Sequence, residues 1–391
     1  PILSEIKKSE IQNEKNNSSN LIIEGDNYYS LLNLNYTHEK KIDVIYIDPP
    51  YNTGKEFLYN DNIVDVTDEY RHSKWLSFMN ERLKLAKELL KDNGIIFIAI
   101  DDNEQAHLKL LCNEIFDEKN FVGDIVIVNN LKGRNDKLHI ALAHERLLIF
   151  KKSLFQERGL KLSDEKIKEF DKKDKDGNPI RLLGLRKRGG ADTRTSRPNL
   201  FFPLYISPKN GFVSTKKTTQ SIQVFPKKSD GTDGCWRWGK NSVDLKHDML
   251  LGKRSSTGKW DVFQIDYLHI DGHLRRSKPK SVWAGADYSS DSATKNFRKI
   301  MKDSKFTNPK SVELIKDIID YSTGNESTIL DFFAGSGTTG HAVLELNKED
   351  GGNRKFILCT NDENNICTKV CYPRIKKVMN GYTDSKKKKI K

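Results

Sequence analysis

The chain has 391 residues, of which 36% are hydrophobic and 31% are charged, and its formal net charge is +13. This length predicts two or three domains, since a domain commonly holds about 100–200 residues. No run approaches the roughly 18 apolar residues of a membrane span, and the first residues lack the basic and apolar pattern of a secretory signal. We therefore expect a cytoplasmic protein.

Cysteine usage bears on the compartment and on metal binding. The cysteines are sparse and odd in number, which fits a reducing compartment better than a secreted disulfide framework. Two of them lie four residues apart, which is too few convergent ligands for zinc. We expect buried thiols and no metal site. The five cysteines are Cys112, Cys235, Cys359, Cys367 and Cys371.

Regular elements alternate along the first 150 residues. The β-branched run Ile42–Ile47 predicts a strand buried on both faces, and it ends in Asp48-Pro49-Pro50-Tyr51. An apolar stripe of helical spacing runs from Ser73 to Lys91 and stops at Asn93-Gly94. This alternation predicts a doubly wound α/β sheet. The further elements predicted here are strands at Ile95–Ile100, Val122–Val128 and Arg146–Phe150 and a helix at 103–116.

The positive charge is concentrated in the middle of the chain. Residues 151–300 contain 33 Lys and Arg against 17 Asp and Glu, whereas the remainder contains 34 against 37. Basic clusters, glycines, prolines and scattered aromatics replace the α/β pattern here, which predicts a separate α+β domain. Such a basic domain favours nucleic-acid binding, with a solvated lysine-rich surface as the alternative. The predicted organisation is 1–150, 151–300 and 301–391, ending in a basic tail at Lys386–Lys391.

A second α/β block contains a glycine-rich turn. Helical periodicity returns near Val312–Ile319, and a predicted strand at Thr328–Phe333 leads into the turn. Gly335, Gly337 and Gly340 satisfy G-x-G-x-x-G between a strand and a helix. This spacing alone fits a nicotinamide dinucleotide, an adenosyl cofactor, or a tight turn without a ligand. Nearby carboxylates suit the ribose of either nucleoside ligand.

The tetrapeptide Asp48-Pro49-Pro50-Tyr51 is more specific. It follows a buried strand, at the edge where open α/β sheets bind ligands. Two prolines fix the backbone and remove two N–H donors, so carbonyls can accept hydrogens from a substrate amine together with Asp48. Tyr51 can stack on a base that has been flipped out of the duplex. The alternative is a strand end with a rigid turn.

With both motifs present, the sequence resembles amino-methyltransferases of the permuted β class, most closely the modification (Mod) subunits of type III restriction-modification systems. In that family the catalytic motif comes first, then a target-recognition domain, then an F-x-G-x-G motif. Asp48–Tyr51, residues 151–300 and Phe333–Gly337 follow the same order. The resemblance implies a Rossmann-like methyltransferase fold that uses S-adenosyl-L-methionine and methylates N6 of adenine in double-stranded DNA at specific sites. It also implies a bacterial, nucleoid-associated enzyme, a homodimer and a restriction (Res) partner.

The resemblance and the two motifs together give the candidate residues. The catalytic candidates are Asp48, Pro49, Pro50 and Tyr51. The cofactor-binding candidates are Asp26, Asp48, Asn308, Pro309, Asp331, Phe333, Ala334, Gly335, Ser336, Gly337, Thr338, Thr339 and Asp362. The candidates for DNA contact are Arg181, Arg186, Lys187, Arg188, Arg194 and Arg197.

Structural explanations compete with several of these assignments. Asp26 could simply cap the helix that follows, and Pro309 could simply open one. For His139, His144 and Glu145 we favour a structural role over a place in the site. The chain stops in a lysine run where type III modification subunits continue, which leaves coupling to a restriction partner open.

Three other functions remain as alternatives. Cytosine-N4 methylation is the nearest, although enzymes of that kind more often carry Ser in place of Asp48. A DNA-binding specificity subunit could retain the fold without activity, although the intact Asp48–Tyr51 and Gly335–Gly337 count against it. A nicotinamide oxidoreductase would explain the glycines but not Asp48–Tyr51. No cysteine lies near that motif, which argues against cytosine-C5 chemistry through a thiolate.

Overall fold

The structure is a computed structural model, and it describes residues 2–11, 19–53, 68–133, 139–255, 258–304, 306–383 and 389–390. The predicted basic tail lies outside these residues except for Lys389 and Ile390. The chain forms two compact units, one of Pro1–Leu160 with Lys278–Lys391 and one of Lys161–Ser277.

The second unit is therefore shorter than the predicted domain of residues 151–300. Phe155 and Leu160 pack against the core of the first unit, which accounts for the later start. Helix Ser290–Ile300 also belongs to the first unit, where Phe297 and Ile300 share a cluster with Val370. Composition changes at residue 151 because the strand His144–Lys151 ends there, whereas the contacts change ten residues later.

The first unit is built on an eight-stranded sheet with the order β1-β8-β7-β2-β3-β5-β4-β6. All neighbouring strands run parallel except where β5 lies between β3 and β4, to both of which it is antiparallel. The strands are β1 (Leu21–Glu24), β2 (Ile42–Ile47), β3 (Leu90–Ile100), β4 (Phe121–Val128), β5 (His144–Lys151), β6 (Val282–Ala284), β7 (Thr328–Asp331) and β8 (Lys355–Thr360).

Helices follow β1, β2, β3, β6, β7 and β8 along the chain, as the doubly wound prediction requires. They are α1 (Asn27–His38), α2 (Arg71–Leu89), α3 (Gln105–Phe116), α4 (Ser290–Ile300), α5 (Val312–Ser322), α6 (Thr338–Asp350) and α7 (Tyr372–Asn380), the last preceded by a π-helical turn at Cys367–Cys371. None of the helices in the described ranges has the length and apolar character needed to cross a membrane.

The central strands are buried on both faces, which confirms the prediction made from their apolar runs. In β2, Ile45 and Ile47 join one apolar cluster while Val44 and Tyr46 join the other. Alternate side chains of a strand point to opposite faces, so the sheet separates two cores. Strand β3 alternates between the same two clusters.

The predicted end of α2 at Lys91 lies two residues beyond the observed end. The helix ends at Leu89, and Asn93-Gly94 lies inside β3 instead of stopping the helix. The pairing of β2 with β3 shifts register between Ile42 and Val44, opposite this segment. A Cβ on Gly94 would lie 3.1 Å from the Ile42 carbonyl oxygen, so glycine permits the close approach of the two strands.

The second unit is mainly β structure around its own core. Its four-stranded sheet is antiparallel and places Trp260–Tyr267 between Leu250–Arg254 and Pro179–Gly184, with Lys172–Lys173 at the edge. A three-stranded antiparallel sheet has Leu204–Ile206 at its centre, between Val213–Ser214 and Ile222–Val224. Two short helices, Asp164–Lys168 and Lys240–Leu245, complete the predicted α+β character, and a fully buried Trp236 lies in the core.

Candidate active site

Carboxylates lie at the ends of four neighbouring parallel strands in the first unit. Asp26 and Asp48 come shortly after β1 and β2, Asp331 ends β7, and Asp362 follows β8. The carboxyl ends of parallel strands meet at one edge of a sheet, where open α/β folds bind ligands. The fold thus gathers residues from distant parts of the sequence at one edge.

Asp48 is the centre of a compact polar network. The Tyr51 hydroxyl donates to Asp48 Oδ1 at 2.7 Å, and Lys310 Nζ lies 3.1 Å from the same oxygen. Lys310 also contacts the Tyr51 hydroxyl at 2.5 Å and Glu145 Oε2 at 2.7 Å. Tyr51 reaches Glu145 Oε2 at 3.2 Å. One ammonium group therefore bridges two carboxylates and a phenol.

Burial and charge change the proton affinities in this network. Burial raises the pKa of Asp48; the nearby Lys310 ammonium opposes that rise and the Glu145 carboxylate adds to it. Burial would lower the pKa of Lys310, but the two carboxylates raise it above its ordinary value. Burial and both carboxylates raise the pKa of Tyr51 well above its usual range. Lys310 thus stays charged, and Tyr51 stays a neutral hydrogen-bond donor.

The backbone of the proline pair is held from one side. The Trp75 indole Nε1 donates to the carbonyl of Pro50 at 2.8 Å, so that carbonyl is directed toward α2. Pro49 is buried, and Asn52 follows Tyr51 with a left-handed φ of +52°. The tetrapeptide is therefore a fixed turn, and its Pro50 carbonyl already has a partner.

A cleft of about 1360 Å³ opens beside this turn. It brings the catalytic motif together with the segment before α5 and with the segments around the π-helical turn and the end of α7. The described residues that line it are Asp48–Thr53, Ile300–Ser304, Phe306–Asn308, Asn364–Ile366, Lys369, Val370, Lys377, Gly381 and Tyr382.

The glycine-rich turn has two kinds of glycine. Gly335 and Gly337 have φ of +48° and +76°, and a Cβ on Gly335 would lie 3.8 Å from Phe306 Cζ and 3.9 Å from the Phe333 carbonyl oxygen. Gly340 instead permits helix packing, since a Cβ there would lie 2.9 Å from Ile375 Cδ1. The left-handed backbone at Gly335 and Gly337 favours glycine, which alone adopts this conformation without steric cost.

Asp331 holds the start of this turn. Its carboxylate accepts from Thr339 Oγ1 at 2.5 Å and from the Phe333 amide at 3.0 Å. Burial raises the pKa of Asp331 to about 7, although both hydrogen bonds oppose the rise. The buried Asp331 side chain therefore stabilises the conformation of the glycine-rich turn.

Many of the predicted cofactor residues have structural partners. Asp26 caps α1 by accepting from the Tyr28 amide at 2.8 Å, and Asp362 accepts from the amide and hydroxyl of Thr368. These contacts agree with the capping explanation for Asp26. The side chains that are buried in the turn, so that contact would come from their backbone, are Phe333, Ala334, Ser336, Thr338 and Thr339.

The segment before α5 is only partly as predicted. Asn308 has φ of +56° and lines the cleft, whereas Pro309 is buried. Pro309 does not open the helix, because α5 begins at Val312 and Ser311 caps it by accepting from the Leu314 amide. The suggestion that Pro309 is a simple helix start is wrong.

Two residues of the network were not among the candidates. Glu145, for which a structural role was favoured, lies within the Asp48 network, and Lys310 joins it from the segment next to Asn308. Strand β5 is antiparallel, so its first residues come to the edge where β2 ends. The sequence signal was an acidic residue two positions before the apolar run Leu147–Phe150.

Arg374 was also not among the candidate residues. It is buried, and it donates to the Ser336 carbonyl at 3.2 Å, to Ser336 Oγ at 3.0 Å and to Thr338 Oγ1 at 2.8 Å. It also contacts His341 Nδ1 at 3.2 Å. This side chain fastens α7 to the glycine-rich turn.

The candidates for DNA contact lie in the second unit and differ in their surroundings. Arg181 is held by Asp266, at 2.9 Å from Nε, and by Glu169, so its guanidinium has an internal role. Arg194 pairs with Asp233 but is largely exposed, and Arg186 bonds to the carbonyl of Lys187, whose own side chain is half-buried. Within the described part of this unit, Arg188 and Arg197 are exposed without an ion pair.

Comparison with known proteins gives consistent matches. Residues 42–368 match the family model described as DNA methylase. The chain is 37% identical to the type II methyltransferase M.KpnI of Klebsiella pneumoniae, covering 95% of this chain and 91% of that protein. It is 35% identical to the EcoPI Mod subunit of Escherichia phage P1 and 31% identical to the EcoP15I Mod subunit of Escherichia coli. Each match covers 93% of this chain but only 60% and 61% of the respective Mod subunit.

Proposed function

The chain belongs to the DNA methylase family, and from that premise we propose that it transfers a methyl group from S-adenosyl-L-methionine to N6 of adenine in double-stranded DNA. The observation that carries the proposal is the environment of Asp48. Its Oδ1 faces Tyr51 and Lys310, while no hydrogen bond within the described residues reaches Oδ2. Oδ2 is the acceptor for one N6 hydrogen, and the Pro49 carbonyl is the acceptor for the other.

These two acceptors would make the adenine N6 amine a better nucleophile. The lone pair of an adenine amine is delocalised into the ring, and hydrogen bonds from both its hydrogens favour its return to nitrogen. Preorganised acceptors do this without reorganisation during the reaction. The raised pKa of Asp48 also suits it to take the proton that N6 loses as the new N–C bond forms. The Tyr51 ring stacks on the flipped base.

The residues at the sheet edge fit the cofactor. When bound, S-adenosylmethionine supplies an electrophilic methyl group on a cationic sulfur. The left-handed glycines Gly335 and Gly337 would let it approach the backbone, and the Asp48 carboxylate would offer a negative charge near the reacting centre. The turn Phe333–Thr339 would hold the nucleoside, and Asn308 and Pro309 would hold the methionine part. Asp26, Asp331 and Asp362 lie at the same edge of the sheet and are the further cofactor-binding candidates.

Adenine is preferred to cytosine as the target base. The carboxylate of Asp48 is a stronger acceptor than the serine that cytosine-N4 enzymes more often carry. Among the relatives at 31–37% identity, M.KpnI is named a type II methyltransferase, and the EcoPI and EcoP15I proteins are named Mod subunits of type III restriction-modification enzymes. We assign this chain to the modification side of such a system, acting on DNA in the bacterial cytoplasm.

The second unit is the DNA-recognition part of the proposal. Residues 161–277 contain 25 Lys and Arg against 14 Asp and Glu, a composition suited to a phosphate backbone. Arg186, Lys187, Arg188, Arg194 and Arg197 are the proposed contacts, whereas Arg181 is assigned to the internal ion pairs. A homodimer and a Res partner are further proposals that rest on family resemblance.

The test is transfer of tritium from labelled S-adenosylmethionine to bacterial genomic DNA, followed by mass spectrometry of the nucleosides. We expect N6-methyladenine from the unaltered chain and at least about a hundredfold less from Asp48→Ala, since a lost acceptor in a buried site costs several kcal/mol. N4-methylcytosine would overturn the choice of base. Cofactor binding without transfer to any DNA would point to an enzyme that needs a partner, whereas failure to bind the cofactor would favour the inactive specificity subunit.

A further inference from the structure

A cluster of metal-ligand side chains lies beside the catalytic turn. His72 is in the first turn of α2, Glu104 immediately precedes α3, and His107 is in the first turn of α3. One ligand atom from each lies within 4.8 Å of those of the other two. Glu104 is fully buried, while His72 is half-buried and His107 is exposed, so the cluster opens to solvent on one side. The proposed methyl transfer uses none of these side chains.

The hydrogen bonds of the cluster are incomplete. Glu104 Oε1 contacts His72 Nδ1 at 2.6 Å and also accepts from Asn52 Nδ2. Glu104 Oε2 and Asn52 Oδ1 are both buried and have no hydrogen-bond partner within the described residues. An unpaired buried acceptor costs about 1–3 kcal/mol, so two in one cluster call for a specific partner. A cation is the partner that suits two oxygen acceptors at once.

The donor set points to the type of cation. Two imidazoles and one carboxylate are a common zinc ligand set, and imidazole nitrogen favours first-row transition metals over magnesium or calcium. The rings of His72 and His107 lie 4.7 Å apart between centroids, so a shared metal would hold both in their neutral form. The Asn52 amide that donates to Glu104 Oε1 matches the outer hydrogen bonds that orient metal-bound carboxylates.

The separations are compatible with metal binding. Bonds of about 2.0 Å in a tetrahedral site place ligand atoms about 3.3 Å apart. The longest separation in the cluster, at most 4.8 Å, must therefore contract by about 1.5 Å. Rotation of the exposed His107 side chain can supply this, because no packed core surrounds it.

We propose that His72, Glu104 and His107 bind one divalent transition-metal ion, with zinc as the best fit and water or Asn52 Oδ1 as the fourth ligand. The ion would join the starts of α2 and α3 to the residue that directly follows Tyr51. Its role is structural, because it holds the back of the catalytic turn and does not touch the proposed substrate. The cysteine-based expectation of no metal did not consider these histidines.

The experiment measures metal binding by the full chain after removal of any affinity tag and treatment with a chelator. Cobalt(II) is titrated first, because its visible absorption reports the coordination geometry, and zinc is then added to displace it. Binding is compared with His107→Ala, Glu104→Gln and the control His273→Ala, which removes an exposed histidine of the second unit. Circular dichroism checks that each variant is folded.

We expect one cobalt ion per chain with a tetrahedral spectrum that zinc abolishes, and the same result for His273→Ala. His107→Ala should weaken binding at least about a hundredfold, since loss of an outer-shell partner alone costs 10–100-fold. The absence of a cobalt spectrum in the unaltered chain, or equal binding by His107→Ala, would overturn the proposal. Because His107 is exposed, this variant keeps the test decisive even where Glu104→Gln does not fold.

Discussion

Lys310 offers the sharpest test of the electrostatics around Asp48. The proposed reaction needs Asp48 ionised, so activity should fall as the pH drops through its pKa. Burial already raises that pKa, and the Lys310 ammonium counteracts the rise. Lys310→Met removes the opposing charge while keeping an unbranched side chain. The acid limb of the pH profile should therefore move to higher pH.

The size of the shift follows from the 3.1 Å between Lys310 Nζ and Asp48 Oδ1. Two unit charges at that distance interact by about 1 kcal/mol in bulk water and by about 5 kcal/mol at an effective dielectric constant of about 20. At 1.36 kcal/mol per pKa unit these bounds bracket the shift of about 1–3 units that a neighbouring opposite charge usually produces. We expect a shift within that range.

The assay is single-turnover methyl transfer to an adenine-containing duplex as a function of pH, which isolates the chemical step from product release. Glu145→Gln is the complementary variant: it removes a like charge, so the acid limb should move to lower pH. Lys295→Met, on the exposed face of α4, controls for a general change of charge. An unmoved acid limb in Lys310→Met, with a lower rate at every pH, would refute the reasoning.

The other predictions concern the cofactor turn and the basic unit. Arg374→Met leaves buried acceptors of the glycine-rich turn unpaired, at a cost of about 1–3 kcal/mol. Calorimetry should therefore show weaker binding of S-adenosylmethionine. Unchanged affinity would contradict the role of Arg374 in holding the turn. Gly340→Ala forces a Cβ against Ile375 and should lower the free energy of unfolding by about 1–3 kcal/mol in denaturant titrations, whereas a neutral result would mean that α7 can shift. Arg188→Gln should lessen the slope of log affinity for DNA against log salt concentration by about 1. Arg181→Gln should leave that slope unchanged and destabilise the second unit, because Arg181 pairs with Asp266. Equal slopes for the two variants would contradict the assignment of Arg188 to DNA and of Arg181 to an internal ion pair.

The sequence specified the strands and the motifs at their ends. Continuous apolar runs can be satisfied only inside a sheet covered on both faces, so β2 and β3 were predictable, as was the edge at which Asp48 and the glycine turn lie. These signals are local: each depends on residue types within a few positions. The family resemblance then gave the reaction and the cofactor.

The direction of each strand and the partner of each charged side chain depended on the tertiary structure. A strand such as Arg146–Phe150 has the same residue pattern whether it is parallel or antiparallel to its neighbours. The local sequence therefore did not predict that β5 is antiparallel and that it brings Glu145 into the network of Asp48. The same limit applies to Arg181. The sequence shows that this residue is charged, but its ion pair with Asp266, 85 residues away, is seen only in the structure. Composition and periodicity fix what a segment can bury, whereas contacts between distant segments fix what each charge faces.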